Sequence, residues 1–159
     1  AEKAGWRKEL PKGQALGIAA NISWHTYVAT VVHADVKDDG TVTVPNAVTA
    51  LDCGFYVNPE RIRSQIEGAA VMGMSHALYS GITFKNGAVE QSNFYDYNIA
   101  TMSNFPKVVD VLIVEPEPGR NAGGIGEPGL PPFAPALANA VFAATGKRLR
   151  NMPMGEKVA

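Results

Sequence analysis

The sequence predicts an α+β fold, antiparallel hairpins packed with two main helices. Three observations carry this. Two strings that read as strands flank the turn Asp38-Asp39-Gly40, two helical stretches carry recognisable caps, and the elements run in the order β-β-α-β-β-β-α rather than in strict strand–helix alternation. That order favours antiparallel pairing.

The segment from Lys3 to Lys12 is polar and basic around Trp6 and ends on Pro11-Lys12-Gly13, so residues 1–15 read as a connecting segment. Across 23–35, Tyr27, Ala29 and Val31 alternate with Val28, Thr30 and Val32, which is strand periodicity. Asp38-Asp39-Gly40 supplies a tight turn, because glycine takes positive φ cheaply and aspartate tolerates it. A second strand over 41–51 closes a hairpin, and Pro45 implies an edge position or a bulge. Asn58-Pro59-Glu60 is a helix start: an amide to accept an orphan N–H, a proline at the first turn and an acid for the dipole. The helix should span 59–79, with Ile62, Ile66, Ala69 or Ala70, Gly73 and Ala77 on one face. Its glycines, Gly68 and Gly73, each cost about 1 kcal/mol relative to alanine, which points to something packed close to the backbone. Lys85-Asn86-Gly87 marks another hairpin between short strands at 82–84 and 88–90. Phe94-Tyr95-Asp96-Tyr97 reads as strand or packed loop, and the apolar run 108–114 as a buried strand. A last helix over 133–144 ends at Gly146, with Lys147 and Arg148 beside the negative end of its dipole.

Composition removes several functions. The chain has 159 residues, 46% of them hydrophobic and 18% charged, with 14 Lys and Arg against 15 Asp and Glu. A net charge of −1 without a basic stripe gives no pull toward a phosphate backbone, so nucleic acid is not an expected partner. One cysteine, Cys53, makes no intrachain disulfide, thiolate zinc site or iron–sulfur cluster. The apolar stretch 15–20 falls far short of the ~20 residues of a membrane span. Ala1-Glu2-Lys3 carries neither an initiator Met nor a signal-peptide pattern, which leaves upstream sequence an open question.

The stretch from Asn121 to Gly129 is the most unusual, with four glycines in seven positions from Gly123 to Gly129. It lacks the Lys-Ser or Lys-Thr of a phosphate loop, which weakens a nucleotide-binding reading. Glu127, held between Gly126 and Pro128, is either a general base on a stiff loop, a solvated glutamate, or a cap on the next helix. Gln65 offers donors and an acceptor suited to a heterocycle edge or a phosphate, or is a plain helix-surface amide. His25 and His33, eight apart on the predicted strand, would share a face but lack a third ligand, and no metal site is assigned. His76 reads as a packing residue and Cys53 as a small buried hydrophobe.

Taken in order, Asp52-Cys53-Gly54, Asn58-Pro59, Gln65-Ile66-Glu67-Gly68, Gly124-Ile125-Gly126-Glu127-Pro128, the alanine-rich helix Ala134-Pro135-Ala136-Leu137-Ala138-Asn139-Ala140 and Ala144-Thr145-Gly146-Lys147-Arg148 resemble one family. It is the xanthine oxidase-type molybdenum hydroxylases, and within it the C-terminal part of the molybdopterin-binding large subunit of the isoquinoline 1-oxidoreductase and aldehyde dehydrogenase type. The resemblance implies that 16–159 is the C-terminal portion of the molybdopterin-binding domain. It implies that Glu127 is the active-site base beside molybdenum and that Gln65 contacts the pterin.

Further implications concern the whole enzyme. They are oxidation of an N-heteroaromatic compound or an aldehyde with water as oxygen source, and a molybdopterin cofactor in its cytosine dinucleotide form. The [2Fe-2S] clusters would lie in a small partner subunit, consistent with the solitary Cys53, and a cytochrome is a candidate electron acceptor. The remainder of the large subunit is a required partner, so the chain alone should not turn over substrate. The compartment stays open between bacterial periplasm and cytoplasm. The competing expectation is a non-catalytic folding or interaction module that retains the fold without the cofactor.

Overall fold

In the computed structural model, which describes residues 1–158, a four-stranded sheet in the order β1-β2-β3-β6 carries both main helices. Strand β1 spans Gln14–Ser23, β2 Thr26–Val36, β3 Val42–Asp52 and β6 Val108–Ile113; helix α1 is Pro59–Met74 and α2 is Phe133–Thr145. A separate two-stranded ribbon pairs β4, Phe84–Lys85, with β5, Ala88–Val89. The α+β class therefore holds. The hairpins β1/β2, β2/β3 and β4/β5 are antiparallel, while β6 adds to β3 in parallel, a pairing the sequence order did not suggest.

Strand β1 went unrecognised in the sequence. Its partner β2 starts at Thr26, not Ser23, because Trp24 and His25 form a two-residue turn closed by the Ser23–Thr26 pair. Pro45 lies in an internal strand. It is tolerated because the β2/β3 register slips between His33 and Asp35 just there, and β6 begins pairing only at Asn46. The run around β6 is not a buried strand: Val111 alone is fully buried, since β6 forms an edge of the sheet.

Helix α1 starts as the sequence predicts, Asn58 Oδ1 accepting from the N–H groups of Glu60 at 3.0 Å and Arg61 at 3.2 Å. One wider, π-helical turn, Ser75–Tyr79, carries it on to the predicted end. There Ser75 Oγ donates to the Val71 carbonyl and accepts from the Ala100 N–H, both at 2.9 Å. Helix α2 lies on β1 so closely that a Cβ on Gly17 would sit 2.1 Å from the Ala136 carbonyl oxygen. Gly73 allows α1 to meet α2, since a Cβ there would be 2.6 Å from that of Phe133.

Two apolar clusters result. The larger joins Val32, Ala34 and Val44 of the sheet to Met74, Leu78, Phe133 and Leu137. The smaller joins Val28, Leu51 and Cys53 to Ile62 and Ile66 of α1 and Val111 of β6. This second cluster underlies the glycine-rich loop, because Ile125 packs against it.

The C-terminal segment straps the β2/β3 turn. Val158 N–H donates to the Gly40 carbonyl, and Lys157 Nζ lies 3.2 Å from Asp39. The Thr41 backbone N–H, then its hydroxyl and Lys157, hold the Asp39 carboxyl down to about 2. Residues 94–97 form neither a strand nor a packed loop: Phe94 is 93% and Tyr95 80% exposed. Ala159, the last residue of the expected 16–159 unit, lies outside the described residues. No helix among the described residues is long and apolar enough to cross a membrane.

Candidate active site

The loop before α2 is gripped from two sides. On one side the β1/β2 turn holds its beginning: Gly124 N–H donates to the Trp24 carbonyl at 2.8 Å, and Thr26 Oγ1 donates to the Gly124 carbonyl at 2.6 Å. Gly123 N–H donates to the Cys53 carbonyl at 2.7 Å. These approaches explain the glycines. A Cβ at Gly123 would fall 2.4 Å from Thr26 Oγ1, and one at Gly124 2.7 Å from the Trp24 Cβ.

On the other side the loop rests on α1. Pro128 and Gly129 are buried, and a Cβ at Gly129 would meet Ile66 Cδ1 at 2.8 Å and Ala69 Cβ at 3.0 Å. Between these anchors Glu127 is exposed, and its Oε2 accepts a 2.6 Å hydrogen bond from Trp24 Nε1. The helix-capping reading of Glu127 is not what the structure has, because α2 begins without any side-chain cap. Gln65, exposed on α1, lies beside the same loop: its Nε2 is 3.7 Å from where a Gly126 Cβ would stand. Gln65 thus faces Gly126, the residue before Glu127, although the two candidates lie on different elements far apart in sequence.

An open cleft of about 880 Å³ adjoins the turn, lined in part by Trp24, His25, Tyr27, Asp52, Arg120 and Asn121. Arg120 pairs with the Asp52 carboxylate, and its guanidinium sits 5.3 Å from the centroid of the Tyr27 ring. Gly54, at φ +66°, lets the Asp52-Cys53-Gly54 corner touch this wall, for a Cβ there would be 2.0 Å from the Asn121 carbonyl oxygen.

The remaining candidates disperse. Cys53 is buried, and burial pushes its thiol up, away from nucleophilic character; its contribution to the loop is its carbonyl. His25 sits in the turn at φ +60° and not on a strand, so it shares no strand face with His33. His33 faces Gln14 and Asn46, and partial burial lowers its pKa against the opposing charge of Asp35. His76 is exposed rather than packed, since the π-helical turn buries Ser75, Ala77 and Leu78 instead. Among the described residues no group of three His, Cys, Asp or Glu side chains is placed to hold a metal ion. Trp24 and Thr26 went unrecognised as site residues because no turn signal marks Trp24-His25.

Known proteins share this fold and part of this sequence. The family described as molybdopterin cofactor-binding domain matches residues 3–106, which include Gln65. The chain is 32% identical to the beta chain of isoquinoline 1-oxidoreductase from Brevundimonas diminuta, a match over 100% of this chain and 20% of that protein. It is 34% identical to the membrane-bound aldehyde dehydrogenase of Gluconacetobacter polyoxogenes, over 96% of this chain and 20% of the relative. Its fold is similar to that of the aldehyde oxidoreductase from Desulfovibrio gigas, with a TM-score of 0.67 and 25% identity over 78% of this chain and 14% of that one. The chain therefore spans a fifth or less of the length of these relatives. Motif order, fold and matches agree that it belongs to the molybdopterin cofactor-binding domain family, within the xanthine oxidase-type molybdenum hydroxylases.

Proposed function

We propose that this chain forms one wall of the active site of a molybdenum hydroxylase that oxidises an N-heteroaromatic compound or an aldehyde, water supplying the oxygen. Glu127 is the general base and Gln65 a cofactor contact. The observation that carries this reading is an exposed carboxylate on a loop fixed at both ends, with an exposed amide against the glycine that precedes it.

The residues present fit a pterin. The Gln65 side chain makes no hydrogen bond among the described residues, so its donors and acceptor are free for a heterocycle edge. One helical turn on, exposed Gly68 has nothing within 4 Å of a would-be Cβ. No neighbour in the chain requires a glycine there, and its bare backbone suits a flat group lying against the helix. When bound, the molybdenum cofactor supplies the redox step and Lewis acidity.

The part played by the chain's own residues is acid–base and positional. With Oε2 tied to the Trp24 indole, Glu127 keeps Oε1 to take a proton, and the double anchoring of 123–129 limits how far that atom wanders. The cytosine dinucleotide form of the cofactor, a small [2Fe-2S] partner subunit, a cytochrome acceptor and the remainder of the large subunit complete the assembly as we read it.

In the full-length enzyme, Glu127→Gln should retain molybdenum and lower turnover by about 10²- to 10⁴-fold. Turnover at the wild-type rate would overturn the assignment. Gln65→Ala should instead lower pterin occupancy, measured by cofactor extraction, and full occupancy would remove its contact role.

A further inference from the structure

We infer that Trp24 is the positioning residue of the base. This rests on the general-base reading of Glu127 and deepens it. The first observation is the bond itself, Trp24 Nε1–H to Glu127 Oε2 at 2.6 Å, made across 103 positions of sequence. An indole N–H donates and never accepts, and it does not titrate in the working range. It can therefore fix one carboxylate oxygen without competing for the proton that the other oxygen takes.

The second observation is where the tryptophan stands. Trp24 and His25 are the two central residues of the β1/β2 turn, with φ of +52° and +60°. Such turns are ordinarily built from Asn-Gly or Gly-Gly, since left-handed backbone strains other residues and large ones most. Core packing does not account for a tryptophan here, because Trp24 is 65% exposed. Its distinctive contact is the one with Glu127.

The third observation is that the same turn holds the loop by its backbone. The Trp24 carbonyl accepts from Gly124 N–H, and Thr26 Oγ1 donates to the Gly124 carbonyl. One strained corner thus sets both the path of the loop, three residues before Glu127, and the orientation of the carboxylate at its end.

The test uses the full-length holoenzyme. Trp24→Phe keeps the ring and removes the donor; it should retain molybdenum and pterin, leave KM within about twofold and lower kcat about tenfold, the effect of losing one orienting hydrogen bond. In enzyme labelled with 5-fluorotryptophan, the Trp24 fluorine resonance, assigned by its loss in Trp24→Phe, should move in Glu127→Ala and stay in place in Glu60→Ala. The fluorine shift is read in variants that keep Trp24, and it does not depend on turnover. A wild-type kcat in Trp24→Phe, or a Trp24 resonance unmoved by Glu127→Ala, overturns the positioning role and leaves the base reading standing. Wild-type turnover in Glu127→Gln overturns the base reading and the positioning role with it, even where the fluorine signal moves.

Discussion

Trp24 and His25 show how a local strain can be traced to single side chains. His25, at φ +60°, is exposed and carries no hydrogen bond among the described residues, so its own backbone strain is not offset by a contact of its side chain. Left-handed backbone costs an ordinary residue about 1–2 kcal/mol, and glycine escapes it. His25→Gly should therefore be more stable than His25→Ala by about 1 kcal/mol, a gap of about 2–4 °C in thermal unfolding for a chain of this size. Equal midpoints would mean that the turn relaxes and that no strain is stored there. The contrast with Asn86-Gly87 explains why one turn was legible in the sequence and the other was not. Both pairs adopt positive φ, +52° and +79° at Asn86 and Gly87, but only Asn-Gly belongs to the residues whose chemistry announces such a turn. The Trp24-His25 pair hides inside a string of strand formers, and with it hid the partner of Glu127.

The same logic governs the elements. Strand β1, Gln14–Ser23, is made of small residues, Ala15, Gly17, Ala19 and Ala20 among them, with none of the β-branched enrichment that marks β2. It is a strand because β2 pairs with it along its whole length and α2 covers it. Gly17 is the point of closest approach: an added Cβ would lie 2.1 Å from the Ala136 carbonyl oxygen and 2.2 Å from the Ala140 nitrogen. Both are backbone atoms of a helix, so no side chain can swing aside. Gly17→Ala should lift α2 off the sheet and cost about 1–3 kcal/mol, read as a lower denaturation midpoint with little change in m-value. A midpoint within error of wild type would show that α2 slides freely on β1. Tertiary cover of this kind is invisible to periodicity, whereas α1 was legible almost to the residue, because Asn58-Pro59-Glu60 states its start in local chemistry. Gln65 and Glu127 could be singled out as candidates for a related reason. Each sits in a short motif whose order along the chain is specific, but their meeting depends on Gly129 packing against Ile66, which neither motif states alone.

At the scale of the whole molecule, the apolar surface is divided unevenly. Strands β2 and β3 and the two helices bury most of their valines and leucines, but the excursion between α1 and β6 leaves its large apolar side chains out: Phe84 is 71%, Phe94 93%, Tyr95 80% and Met102 97% exposed. Their backbone is held by local polar contacts instead, such as Asp96 accepting from the N–H groups of Ser92 and Asn93. That arrangement fixes the path of the segment without giving its large side chains anything to pack on. Singly exposed apolar residues need no explanation, whereas several on one excursion mark a surface that prefers to be covered. The chain covers only 20% of its isoquinoline 1-oxidoreductase relative, and in a full-length protein we expect other residues to cover this surface. Expressed by itself, the 159-residue chain should then associate as its concentration rises, because two copies can cover each other where nothing else does. The double variant Phe94→Ser, Met102→Ser should lower the mass measured by light scattering at equal concentration while leaving the far-UV circular dichroism unchanged, since neither side chain supports the sheet or the helices. An unaltered mass in that variant would place the self-association elsewhere, and a wild-type chain that stays monomeric throughout would show that these side chains are tolerated in water.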